Sequence, residues 1–171
     1  MRTRALAAAF ALTLTAGAVV AQDAADPAAV DQQDGKHFDA EGTPTFKVEE
    51  DGTVDWYTYS GYRRYHADCH VCHGPDGLGS SYAPPLADSL DRLDYGKFLE
   101  IVANGRENVS GSEQTVMPAF GTNANVMCYI DDIYVYLRAR AEEAIDRGRP
   151  AKRADKPATY TEMEDACMGR S

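Results

Sequence analysis

Residues 69–73 read Cys-His-Val-Cys-His, two thiols three positions apart, with one imidazole between them and another directly after the second. Three chemistries use groups of these types at this spacing. A redox dithiol would employ Cys69 and Cys72 as a C-x-x-C pair inside a βαβ setting, and no strand pattern flanks them. A zinc site would want a second ligand pair at comparable spacing, whereas the other cysteines, Cys128 and Cys167, stand far apart and alone. The third chemistry is covalent haem attachment through C-x-x-C-H, in which two thiols on one helical turn add to the haem vinyl groups and His73 points at the iron. Five residues alone do not choose among these, so the choice falls to their surroundings.

A haem iron held by one histidine wants a sixth ligand, and a thioether suits electron transfer because it favours the reduced metal. Met117, in the loop sequence Met-Pro-Ala-Phe-Gly, lies far enough downstream to reach the opposite haem face. Its rival Met127 falls inside a helical pattern, where methionine more often fills a core. Met163 and Met168 belong to the tail. A bis-histidine iron through His66 or His70 is the remaining option, but His70 sits between the two cysteines and His66 falls on a helix surface.

The elements that must position these groups are read as helices joined by loops. From Trp56 the chain is aromatic-rich and free of proline, with Gly61, Tyr65 and Cys69 on one helical face at four-residue spacing. A Pro/Gly-rich loop over residues 74–88 fits neither regular period. A short helix then ends at Gly105, and residues 106–121 read as loop. The longest helical pattern covers residues 124–148, with Ile130, Ile133, Tyr134 and Leu137 as its apolar stripe and Gly148 and Pro150 as its stop. No stretch alternates long enough to specify a strand.

At the N-terminus two arginines precede an Ala-rich apolar run ending in Val19-Val20-Ala21. This is the pattern of a secretory signal over residues 1–21, cut before Gln22. The run is short for a spanning anchor, which is the competing reading, and no other segment is apolar enough to cross a membrane. Loss of Arg2 and Arg4 moves the formal charge from -10 to -12. Residues 22–55 hold ten acids against Lys36 and Lys47 and few large apolar groups, so they are expected to form a disordered acidic arm, a spacer or a docking arm. No basic stripe meets the needs of phosphate binding, which excludes nucleic acid as a partner.

Taken together, the motifs resemble the class I c-type cytochromes over about residues 56–146. Gly61, Tyr65, Cys69, Cys72 and His73 match that family's first helix and haem motif, "GPDGLG" and "APPL" its haem-side loop, "VANG" with "MPAF" its axial-methionine region, and "DDIYVYL" its last helix. The resemblance implies an all-α fold with first and last helices crossing over one covalent haem c, Ile133 and Tyr136 meeting Gly61 and Tyr65 there. It implies thioethers at Cys69 and Cys72, axial ligands His73 and Met117, and a Pro84 carbonyl accepting the proton on the far nitrogen of His73. Such a bond fixes a ligand ring and raises its basicity.

The chain departs from the minimal family in its acidic lead-in, its long loop over residues 106–116 and its tail over residues 149–171. With two cysteines committed to haem, two remain in an oxidising compartment. A Cys128–Cys167 disulfide pinning the tail to the last helix is expected, and two separate thiols are the alternative. Within the family, these features resemble the four-cysteine periplasmic cytochromes of proteobacterial methanol metabolism. That resemblance implies a non-enzymatic periplasmic carrier that takes electrons from a quinoprotein (PQQ-dependent) methanol or alcohol dehydrogenase and passes them to another cytochrome c or an oxidase. The alternatives are a fixed haem subunit of a dehydrogenase or oxidase complex, and a peroxidase or sensor with a displaceable sixth ligand. A small neutral docking patch of Val71, Ala83 and residues 118–120 is expected beside the thioethers, with no stable membrane insertion once the signal is cleaved.

Overall fold

The computed structural model describes residues 29–110 and 113–170; the signal segment lies outside them. Helix α1 (Trp56–Asp68) starts at Asp55, whose carboxylate accepts the Thr58 amide proton at 2.9 Å. That N-cap satisfies one of the amides a helix start leaves free. A four-residue helix α2 (His70–His73) follows, then α3 (Leu86–Leu90) and α4 (Tyr95–Asn104). Asp94 caps α4 through the Lys97 amide, and Gly105 ends it at φ 75°, the expected stop. The final helical pattern divides into α5 (Ala124–Met127) and α6 (Ile130–Ala141). Helix α6 ends well before Gly148 and Pro150, which correct the expected stop: Glu143 already leaves the helix at φ 55°.

Helices α1 and α6 cross at Gly61. A Cβ there would lie 1.9 Å from the Asp132 carbonyl oxygen and 2.7 Å from the Tyr136 Cβ. No side chain fits, so the two backbones meet directly. Tyr136 is the expected neighbour of Gly61, and the Asp132 backbone stands closest to it. Tyr65 and Tyr136 stack one turn further on, ring centroids 5.5 Å apart, and Ile133, Val135 and Leu137 complete a buried core.

Two expectations are corrected here. The chain is not all-α, because three small sheets occur among the described residues. Strands β1 (Asp31–Gln33), β2 (Lys36–Phe38) and β3 (Pro44–Thr45) form one antiparallel sheet, β4 (Thr53–Val54) pairs in parallel with β7 (Lys152–Arg153), and β5 (Arg106–Ser110) pairs with β6 (Glu113–Met117) as a hairpin. The long loop of the sequence reading is this hairpin. Nor is the described part of the acidic arm disordered. Its anchor is Phe46, 1% exposed in the core. Asp39 accepts the amides of Glu41 and Thr43 and pairs with Arg138 of α6 at 2.8 Å. Acids that read as solvated thus close turns and hold the arm on the last helix.

The tail is a helix, α7 (Ala158–Met168), tied to the end of α5 by a disulfide between Cys128 and Cys167. Tyr160 of α7 inserts into the core, where its hydroxyl donates to Asp132 at 2.6 Å and lies 2.7 Å from Ser60 Oγ. The carboxyl of Asp132 is wholly buried and pushed up to about 7 by that burial, against the hydrogen bonds from Ser60 and Tyr160.

Candidate functional site

Cys69, Cys72 and His73 occupy the single turn where α1 gives way to α2. The Cys69 amide still donates to Tyr65 O at 2.9 Å, and the Cys72 and His73 amides donate to Cys69 O. The helical geometry therefore runs on through the motif and places both thiols one turn apart. These are the free cysteines among the described residues, Cys69 partly buried and Cys72 exposed.

Four hydrogen bonds fix the turn. The Tyr65 hydroxyl, completely buried, donates to Gly74 O at 2.5 Å and accepts from the Gly77 amide at 3.1 Å. The Gly79 amide donates to His73 O at 2.8 Å, and Ser80 Oγ donates to Cys72 O. Gly74 makes this return possible: its φ is 71°, and a Cβ would come 2.1 Å from Gly79 O. Tyr65 carried a sequence signal in its spacing; Ser80 carried none.

His73 is nearly buried, and its Nδ1 donates to the Pro84 carbonyl at 3.0 Å. With the proton on Nδ1, Nε2 presents its lone pair. Burial lowers the His73 pKa below its ordinary 6.5, opposed by the Pro84 bond, so the ring is neutral at pH 7. A neutral imidazole with its far nitrogen anchored is what an iron ligand requires.

Met117 closes the hairpin, opposite Arg106. Gly105 admits it: a Cβ there would stand 2.6 Å from Met117 O. The next residues lie along the end of α4, with the Phe120 amide on Val102 O at 3.0 Å and the Gly121 amide on Ala103 O at 2.9 Å. The rivals are engaged elsewhere. Met127 and Met163 line a cavity of about 90 Å³ beneath the disulfide, with Tyr57, Cys128 and Tyr160. His66 turns back on its own helix, Nδ1 on Tyr62 O at 2.8 Å and Nε2 3.8 Å from Asp76. His70 packs against it, ring centroids 5.1 Å apart.

These observations discriminate among the three chemistries. Among the described residues no group of three or more His, Cys, Asp or Glu side chains is arranged to hold a metal ion, which removes the zinc reading. A reactive dithiol needs a lowered thiol pKa, but burial pushes Cys69 up to about 12, and no βαβ unit surrounds it. A haem fits: two unpaired thiols one turn apart, a neutral histidine with Nε2 free, and a methionine on a separate segment. Val71, between the cysteines, is 78% exposed, Pro118 and Ala119 are exposed, and Ala83 and Phe120 are half-buried.

A family model described as cytochrome c oxidase, cbb3-type, subunit III, matches residues 58–137. Cytochrome c-553I of Paracoccus denitrificans is 52% identical over 158 residues, spanning 92% of this chain and 70% of that protein. Cytochrome c-555 of Methylococcus capsulatus is 36% identical over 105 residues, 61% of this chain and 76% of that one. The chain belongs to the c-type cytochromes. Its fold is that of the class I group: the crystal structure of the c-type cytochrome XoxG from Methylobacterium extorquens AM1 matches it with a TM-score of 0.75 at 57% identity, covering 81% of this chain and 85% of that one. Like its family, this cytochrome carries covalently attached haem c, one by its single C-x-x-C-H motif. It is an electron carrier with redox proteins for partners, and not an enzyme. No helix among the described residues is long and apolar enough to cross a membrane.

Proposed function

We propose that this cytochrome is a periplasmic monohaem carrier that accepts electrons from a PQQ-dependent methanol or alcohol dehydrogenase and delivers them to another cytochrome c or a terminal oxidase. Cys69 and Cys72 would hold the haem as thioethers, and His73 and Met117 would supply ligands to its iron. Haem iron supplies a one-electron couple that changes state without bond making in the protein. The chain's part is to hold that couple. The Pro84 carbonyl fixes the ring of His73, and Tyr65 and Ser80 lock the turn that bears the thioethers. Met117 gives the reduced iron a soft ligand. Residues 1–21 direct export and are cut before Gln22.

The observation that carries the site is the His73–Pro84 bond at 3.0 Å, which orients a neutral imidazole beside two free thiols. The dehydrogenase is supported by the four-cysteine pattern and by 57% identity to XoxG. A fixed subunit of an oxidase draws support from the description of the matching family, but that match stops at residue 137 and leaves the tail outside it. Size-exclusion of the periplasmic fraction separates the two, since a shuttle elutes free.

Met117→Ala tests the ligand set. The expected result is loss of the near-infrared band of ferric iron bound to methionine, a lower reduction potential and new access for carbon monoxide. Retention of the band would remove Met117 from the iron. Reduction of the wild-type holoprotein by purified methanol dehydrogenase tests the donor, and failure to reduce it faster than other quinoproteins do would remove that assignment.

A further inference from the structure

Between α6 and α7 the chain crosses the outer side of α1 as an extended strap, residues 146–156. It contains five bases and two acids, a net of +3, in a chain whose formal charge is -10, leaving -13 for the remainder; this corrects the expectation that the chain has no basic stripe. All five basic residues, Arg147, Arg149, Lys152, Arg153 and Lys156, are exposed. The strap is held at its start by the Gly148 amide on Asp76 Oδ1 at 2.9 Å and further on by the parallel β4–β7 pairing.

Two of these cations are placed unlike the others. Arg147, Lys152 and Lys156 each face a carboxylate, Asp76, Asp51 and Glu164 respectively. Arg149 and Arg153 face none among the described residues. Their guanidinium carbons lie 5.5 and 5.1 Å from the same Tyr59 ring, and Arg153 also lies 4.9 Å from that of Trp56. Two like charges thus converge on one aromatic platform while the acids of an acidic protein pair elsewhere. The Tyr59 hydroxyl accepts from Arg149 Nη2 and the Ala154 carbonyl from Arg153 Nη1 at 3.1 Å, which restrains both guanidinium groups and leaves their remaining N–H donors to meet a carboxylate.

We propose that this strap is a docking surface for an acidic face of a protein partner. A protein fits better than an anionic bilayer for two reasons. The strap is narrow, and a flat anionic surface would also meet the acids around it. No large apolar side chain of the strap is exposed to enter a membrane. Arg147, at the strap's near end, pairs with Asp76, three residues beyond His73, whereas Arg149 and Arg153 meet the Trp56 and Tyr59 rings at the opposite end of α1 from Cys69. Exposed charges of this kind act chiefly on the association rate and its salt dependence. The inference does not depend on which dehydrogenase supplies the electrons.

The test is a titration of fluorescently labelled poly-L-glutamate with the mature holoprotein at low ionic strength, read by anisotropy, alongside vesicles of phosphatidylglycerol and of phosphatidylcholine. The wild type is expected to bind the polymer and to release it as salt rises, and neither vesicle is expected to bind. R149Q/R153Q should weaken polymer binding by about tenfold or more with the haem spectrum unchanged. R149K/R153K, which keeps charge but loses the planar fork, should fall between them, and it decides the matter if the glutamine pair does not fold. Absence of polymer binding by the wild type overturns the proposal, as does equal binding by wild type and both variants. Binding to phosphatidylglycerol vesicles that the same substitutions abolish would reassign the surface to membranes.

Discussion

Asp132→Asn offers a direct test of the packing between α1, α6 and α7. Asp132 is buried against the Ser60 and Tyr160 hydroxyls, with Lys36 and Asp131 as its charged neighbours, and burial raises its carboxyl from 3.8 to about 7. At about 1.4 kcal/mol per tenfold change in proton affinity, that rise is a preference of about 4 kcal/mol for the neutral acid in the folded state. Because the folded value lies above the unfolded one, the stability it confers is complete below 3.8 and is lost as pH climbs towards about 7. Asparagine accepts the Tyr160 proton as the neutral acid does but never ionises. Relative to wild type, the variant should therefore gain about 3 kcal/mol of unfolding free energy between about pH 4.5 and about pH 7.5. Urea unfolding of both holoproteins at the two pH values, followed by circular dichroism, measures the difference. A gap between the proteins that does not change with pH would refute the reasoning.

Phe46→Ala should cost about 3 to 5 kcal/mol in urea unfolding, as for a fully buried aromatic; a change near zero would mean that the arm is not part of the core. Gly61→Ala forces a methyl group onto the Asp132 carbonyl oxygen and should cost about 3 kcal/mol or prevent accumulation of holoprotein, whereas wild-type stability would refute the close crossing. Removing the disulfide with Cys128→Ser and Cys167→Ser opens a link between residues 39 apart. The loss should be about 4 kcal/mol on the chain-entropy account, and peptide mapping of unreduced wild type should recover the joined pair.

The features legible in the sequence are those in which one residue type answers one local need. Gly105 marked a helix end by residue type alone, whereas Gly61 at the helix crossing and the Pro84 carbonyl as acceptor for His73 were implied by the family resemblance. The cysteine pair left over after the haem motif implied the disulfide. The arm was not legible because its order is tertiary. Strands of two or three residues carry no period, and Asp39 and Asp55 look solvated until Arg138 and the Lys47 amide are placed beside them. The hairpin had a signal, the Gly111-Ser112 pair between two five-residue stretches, but polar residues at both ends concealed its alternation. The break between α5 and α6 had none, since Met127, Cys128 and Tyr129 fit a continuous helix equally well.

The parallel pairing of β4 with β7 sets an order of events during synthesis. Thr53 and Val54, which already meet Val48 and Glu49 within the arm, gain Lys152 and Arg153 as strand partners, and the Thr159 hydroxyl donates to the Asp34 carbonyl. At ribosomal rates, about 5 to 20 s separate the emergence of the arm from that of the strap. Helices form within microseconds, so α1 and its two thiols have long been available when the closing segments arrive. The outer wrap of this cytochrome thus closes only once residues 152–159 are present. A chain ending before residue 149 would lose the β4–β7 pairing while keeping every residue of the haem site and the Phe46 and Asp39 anchors of the arm.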